Sequence, residues 1–193
     1  MSDYTPTGDD GMCPVLTYYA MALNGAIQHG GHENDPPARY LHALAPMLVG
    51  SRSTPDVEQA RAYVLADRAV RVFAPMALEA GGLLAEAKQM SVLDPIVDAA
   101  SAAAAWSVSG PISWSVVQAV DKDAAPGVVA ATGSAAAAAM YVSGDALWTF
   151  SGSAAKDTAG AAAASAGGAA EAAGAAAWYA ALDALVAALE AAP

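Results

Sequence analysis

Alanine constrains this chain more than any other feature. From position 99 onward, runs such as Ala102–Ala105, Ala135–Ala139 and Ala161–Ala164 leave few large side chains. Alanine is the strongest helix former because it loses no side-chain entropy on ordering, but it buries little apolar area. A fold built from it must gain stability from close backbone approach and dense contact. The sequence therefore predicts an all-α protein, either a helical bundle or a short array of helical hairpins. Hydrophobic residues make up 56% of the chain, yet Phe occurs only twice, so the four Trp and seven Tyr are the expected bulky anchors.

A length of 193 residues suits one domain, or two small ones packed together. Pro6, Gly8, Gly11 and Pro14 predict a flexible arm over 1–14, followed by a single alanine-rich helical domain over 15–193, with a sub-boundary near 108–111. Local signals place helices at Leu16–Gln28, Arg39–Val49 (bent by Pro46) and Pro55–Ala80, with His29–Pro37 as a loop. The third helix has the clearest start: Thr54 as N-cap, Pro55 in the first turn, and Asp56 and Glu58 at the positive dipole end. Ala62, Leu65, Ala66, Ala69, Phe73 and Met76 make its core stripe, and Pro75 predicts a kink. Shorter helices are expected at Leu83–Met90, from Pro95 to Ser107, at Ile112–Val120 after a stop at Gly110-Pro111, at Val128–Val142 and at Asp145–Phe150. Gly167-Gly168 is expected to separate Ala154–Ala166 from a last helix over Ala169–Ala191. In that last helix Trp178, Leu182, Leu185 and Leu189 share one face, which makes them candidates for an interface. A faint repeat joins Ala139-Met140-Tyr141 to Ala177-Trp178-Tyr179, 38 residues on, as stacked hairpins would.

Charge narrows the function classes. Nineteen acidic residues against eight basic ones give a net charge of −11. Nucleic-acid binding needs clustered Lys and Arg, so that partner is excluded here. Ala99–Val120 and Ala124–Gly144 are uncharged and long enough to span a bilayer, but their Ala, Gly and Ser content gives weak hydrophobicity, which argues against a membrane. One cysteine, Cys13, allows no intrachain disulfide and fits a reducing compartment. The start of the chain has no basic and apolar signal pattern, so a cytoplasmic location is expected, or a virion if the chain is phage-encoded.

No motif carries recognisable chemistry. His29, His32, Glu33 and Asp35 crowd one loop and His42 follows on the next helix, a donor set suited to a divalent metal. The spacing is not that of two histidines on one helix face, and the plainer reading is a solvated polar loop. Cys13 has no visible activating neighbour. The pairs Asp121/Asp123 and Glu33/Asp35 have no apolar pocket to tune them, and the Gly-containing stretches lack a phosphate-binding pattern. Neither catalytic residues nor a cofactor is expected.

One stretch carries a resemblance. Asp67-Arg68-Ala69-Val70-Arg71-Val72-Phe73-Ala74-Pro75, then Ala80-Gly81-Gly82-Leu83, then Asp94-Pro95-Ile96-Val97-Asp98 leading into alanine, resembles alanine-rich helical proteins of high-GC bacteria and their phages over about residues 60–105. Some of these are grouped as immunity proteins, which neutralise toxins by binding them. The resemblance implies a binding or structural role through a protein partner or self-association. The expected function is a non-catalytic interaction protein, structural or toxin-binding. A metal-binding protein or enzyme using His29–His42 and a membrane-associated helical protein stand as alternatives.

Overall fold

The computed structural model describes residues 11–31, 35–119, 125–144 and 154–191. Among these residues every regular element is helical: α1 (Pro14–His29), α2 (Pro36–Leu48), α3 (Pro55–Arg68), α4 (Ala74–Ala80), α5 (Leu84–Ser91), α6 (Ala99–Ala119), α7 (Pro126–Ser143), α8 (Ala154–Ala173) and α9 (Ala175–Glu190). The all-α expectation is met, and the valine-bearing stretches Ser115–Val117 and Val128-Val129, whose β-branched side chains favour strand, are helical. Proline opens α1, α2, α3 and α7, where its missing N–H costs nothing because the first turn has no acceptor for it.

The long Pro55–Ala80 helix forms as one rod with a widened turn. Pro75 has no N–H for the Arg71 carbonyl, and its ring would collide with that oxygen in an α-helix. The chain relieves both by a π turn over Ala69–Phe73 that joins α3 to α4, with the Ala74 N–H donating to the Ala69 carbonyl.

Two expected breaks do not occur. Gly110-Pro111 lies inside α6, which runs unbroken to Ala119. Ala102, Ala105 and Ser109 before the proline, and Ile112 and Val116 after it, form one buried stripe. Continuous packing of that stripe outweighs a single lost backbone bond. The proposed sub-boundary at 108–111 is therefore the middle of a helix. Gly167-Gly168 likewise lies inside α8, and the chain turns instead at Gly174, whose φ of 79° suits glycine. The expected Asp145–Phe150 helix lies outside the described residues.

The bundle is organised around α8. This helix packs most extensively against α7 and also against α1, α3, α4 and α9. A hairpin array would confine it to its chain neighbours, so the architecture is a bundle. Buried α8 residues are small: Thr158, Ala159, Ala162, Ala163, Ser165, Ala166, Ala169 and Ala170. The large fully buried side chains come from the surrounding elements, among them Leu16, Tyr19, Leu23, Ile27, Leu65, Phe73, Leu78, Met90, Leu182 and Leu185. A smooth central helix is thus wrapped by bulky faces. Aromatic residues are lesser anchors than expected: Tyr19 and Trp178 are buried, but Tyr18, Tyr40, Tyr179 and Trp114 are exposed.

Close approach is most extreme between α7 and α8. A Cβ added to Gly168 would lie 2.6 Å from the Ala131 nitrogen, and one added to Gly127 would lie 2.7 Å from the Gly168 carbonyl oxygen. Only hydrogen fits at either position. Beside this contact the buried Ser165 hydroxyl donates to the Ala131 carbonyl at 2.9 Å. At the start of the described chain, residues 11–14 are packed rather than part of an arm. The Gly11 carbonyl accepts from the Arg52 N–H at 3.0 Å, and Cys13 is fully buried with its N–H donating to the Ser51 hydroxyl.

Candidate interaction surface

The described histidine candidates lie on different helices. His29 ends α1 and His42 sits on α2, both exposed, while His32 and Glu33 lie outside the described residues. His29 instead borders an open cleft of about 580 Å³ between the end of α1 and the α8–α9 region, with Glu171 and Trp178 among its other walls. Among the described residues no three His, Cys, Asp or Glu side chains come together as a metal site would require. Asp121 and Asp123 lie outside the described residues. Cys13 is buried and unpaired; its carbonyl accepts from both the N–H and the hydroxyl of Thr17. It packs as a small apolar residue.

The Trp178, Leu182, Leu185 and Leu189 face is real, but it points inward. Leu182 and Leu185 are fully buried, Trp178 is nearly so, and Leu189 is partly covered by the same core. In a chain this short of large side chains, an aliphatic stripe is taken up by the chain's own core. The stripe is core and not interface. Beside it the buried Tyr19 hydroxyl donates to the Ala181 carbonyl at 3.1 Å, joining α1 to α9. Burial pushes this hydroxyl's pKa far above the ordinary tyrosine value, with Arg68 opposing in part, so it stays a donor.

Helix α6 packs mainly against α7, with a smaller contact to α5. Its start is fixed by Asp98 and Ser101. The Asp98 carboxylate accepts from the Ser101 N–H at 2.7 Å, and the Ser101 hydroxyl accepts from the Asp98 N–H at 3.0 Å, a reciprocal cap. The Ser101 N–H and then its hydroxyl hold the Asp98 carboxyl below the usual carboxylate range. Beyond this cap α6 contains no ionisable side chain over 21 residues. Its solvent face carries Ala100, Ala104, Ser107, Pro111, Trp114 and Gln118, all exposed. Trp114 is 69% exposed, an unusual position for a tryptophan, whereas Trp106 of the same helix is half-buried. A shallow groove of about 260 Å³ runs beside it, between α6 and α7, with walls that include Trp106, Val117 and Met140.

A second groove, of about 450 Å³, lies where α1 meets α7 and α8. Lys156 Nζ stands 5.2 Å above the Tyr18 ring there, and Tyr141 forms another wall.

The uncharged stretch that includes α6 has the length of a bilayer span, but among the described residues no helix is long and apolar enough to cross a membrane. Comparison of the chain with protein-family models, curated proteins and solved structures found no match.

The α6 face was missed in the sequence because Gly110-Pro111 read as a stop. Once the helix is continuous, positions 100, 104, 107, 111, 114 and 118 alternate steps of four and three. That spacing, together with the missing charge, was the available signal.

Proposed function

We propose that this protein acts by binding another protein, as a component of an assembly or as an immunity-type inhibitor of a toxin, and that the solvent face of α6 is its contact surface. The observation that carries this reading is the exposed Trp114 in the second half of α6, a helix with no charge on it. Contact surfaces favour tryptophan and exclude charge from their core. A chain of net charge −11 has acidic residues to keep a face soluble, and here they are kept off this one. A role in binding also agrees with the resemblance over residues 60–105.

The test is retention of proteins from a native lysate, the chain's own untagged copies included, on the tagged chain and on its Ala104→Glu variant. Binding that the charge at position 104 abolishes supports this reading. Equal retention by both, or none by either, overturns it.

A further inference from the structure

The open cleft of about 580 Å³ at the end of α1 has a chemistry of its own. We propose that it binds a small alkylammonium cation, with the head group between the Glu171 carboxylate and the Trp178 ring. Its walls come from α1, the residue after it, α8 and α9, and none from α6. The site therefore stands or falls separately from the α6 face.

Three features of the walls agree on the sign of the charge. Glu171 brings a carboxylate and His29 an imidazole, and among the described residues no Lys or Arg is a wall. Trp178 brings an indole, the side chain that attracts cations best. It is 7% exposed, so the core holds its ring in place before a ligand arrives. The third feature is that two helices end here. Ala26 and His29 lie in the last turn of α1, and Ala170 and Glu171 in the last turn of α8. The carboxyl end of a helix carries partial negative charge, which favours a cation and disfavours an acid. α8 has no basic residue in its last turn and carries Glu171 there instead. A bound ammonium supplies the missing positive charge.

The size of the cleft selects among cations. Ala26, Gly30, Gly167 and Ala170 contribute little side chain, which leaves the space of a small-molecule site. A bare metal ion would find one carboxylate and one imidazole, short of its usual set of protein ligands. An ammonium that carries alkyl groups fills the volume and meets the ring. Glu171 also borders the start of α7, beside Pro126 and Gly127, where an acid suits the positive end of that helix. The experiment must separate that structural role from ligand binding.

The intact chain is titrated with choline, with ethanolamine and with dimethylbutanol, the uncharged carbon isostere of choline. Nuclear magnetic resonance follows the tryptophan indole signals, and Trp178→Phe identifies the one that belongs to Trp178. Choline, ethanolamine or both should shift that signal saturably, with a Kd on the order of 1 mM. Dimethylbutanol should bind roughly tenfold more weakly or not at all. Glu171→Gln should weaken the ammonium by about the same factor, with unchanged helical circular dichroism. If Trp178→Phe does not fold, calorimetry on the unaltered chain and on Glu171→Gln makes the same comparison. Binding of choline alone supports the site with a methylated head group, and binding of ethanolamine alone supports it with a primary one. Saturable binding of neither, or equal binding of dimethylbutanol, would overturn the proposal. So would a Glu171→Gln variant that melts lower but binds the ammonium as well as before, which would assign Glu171 to the start of α7.

Discussion

Gly127 and Gly168 meet backbone to backbone across α7 and α8, so close that an added Cβ on Gly168 would lie 2.7 Å from the Gly127 carbonyl oxygen. The atoms in the way belong to backbone, which cannot swing aside as a flexible side chain can. This contact sets the distance between the two helices that share the largest interface in the bundle. Gly168→Ala and Gly127→Ala should each destabilise the fold by about 1–3 kcal/mol through overpacking, even though alanine is the better helix former by about 1 kcal/mol. Urea unfolding measures this, and an unchanged or raised midpoint in both variants would show that the helices are not held this close.

Gly160 provides the opposite sign within the same helix. Nothing lies within 4 Å of a Cβ built there. Gly160→Ala should therefore stabilise the protein by about 0.5–1 kcal/mol, the ordinary gain for replacing a helical glycine. Thermal melts of Gly160→Ala and Gly168→Ala side by side separate helix propensity from packing, since propensity alone would raise both.

The contrast between these glycines also explains what the sequence revealed and what it did not. The start of α3 at Thr54-Pro55, the Pro55–Ala80 rod and the disturbance before Pro75 are local in origin, so local rules found them. Gly110-Pro111 and Gly167-Gly168 are also local break signals, but packing overrode them: Ile112 and Val116 continue the stripe of Ala102 and Ala105, and Gly168 is fitted to α7. The Trp178–Leu185 face was visible as a face; which surface covered it was not, because α8 offers only small residues to mark the matching side. The α6 surface was hidden for a related reason. Alanine on every side of a helix leaves periodicity little to report, and Trp114 stood out only when its exposure was known.

Leu185 tests the reassignment of that stripe. It is fully buried, so Leu185→Ala should cost about 2–5 kcal/mol by lost burial and the cavity left behind. The loss should be the same at low and high protein concentration. A loss that vanished on dilution would return the residue to an interface between chains.

Tyr19 makes a pH prediction. Its hydroxyl donates to the Ala181 carbonyl in the core, and Tyr19→Phe should cost about 1 kcal/mol near neutral pH. The folded pKa is raised above the unfolded value of about 10 by burial, so the contribution is complete below that value and declines as pH rises above it, where only the unfolded chain ionises. The deficit of Tyr19→Phe should therefore shrink as denaturation is followed above about pH 10. A deficit that stays constant there would mean that Tyr19 ionises as easily folded as unfolded.

Asp98 makes the complementary prediction in acid. Its carboxylate caps α6 through Ser101, and those hydrogen bonds depress its pKa in the folded state. A depressed carboxylate stabilises the fold above the unfolded pKa of about 3.9, and that stabilisation is lost as pH falls below it toward the folded value. Asn keeps the capping oxygen but not the charge. The intact chain should thus melt above Asp98→Asn at neutral pH, and the gap should close below about pH 4. Because Asp98 lies in solvent, added salt should narrow the gap at neutral pH as well. A gap independent of both pH and salt would place the role of Asp98 in its hydrogen-bond geometry alone.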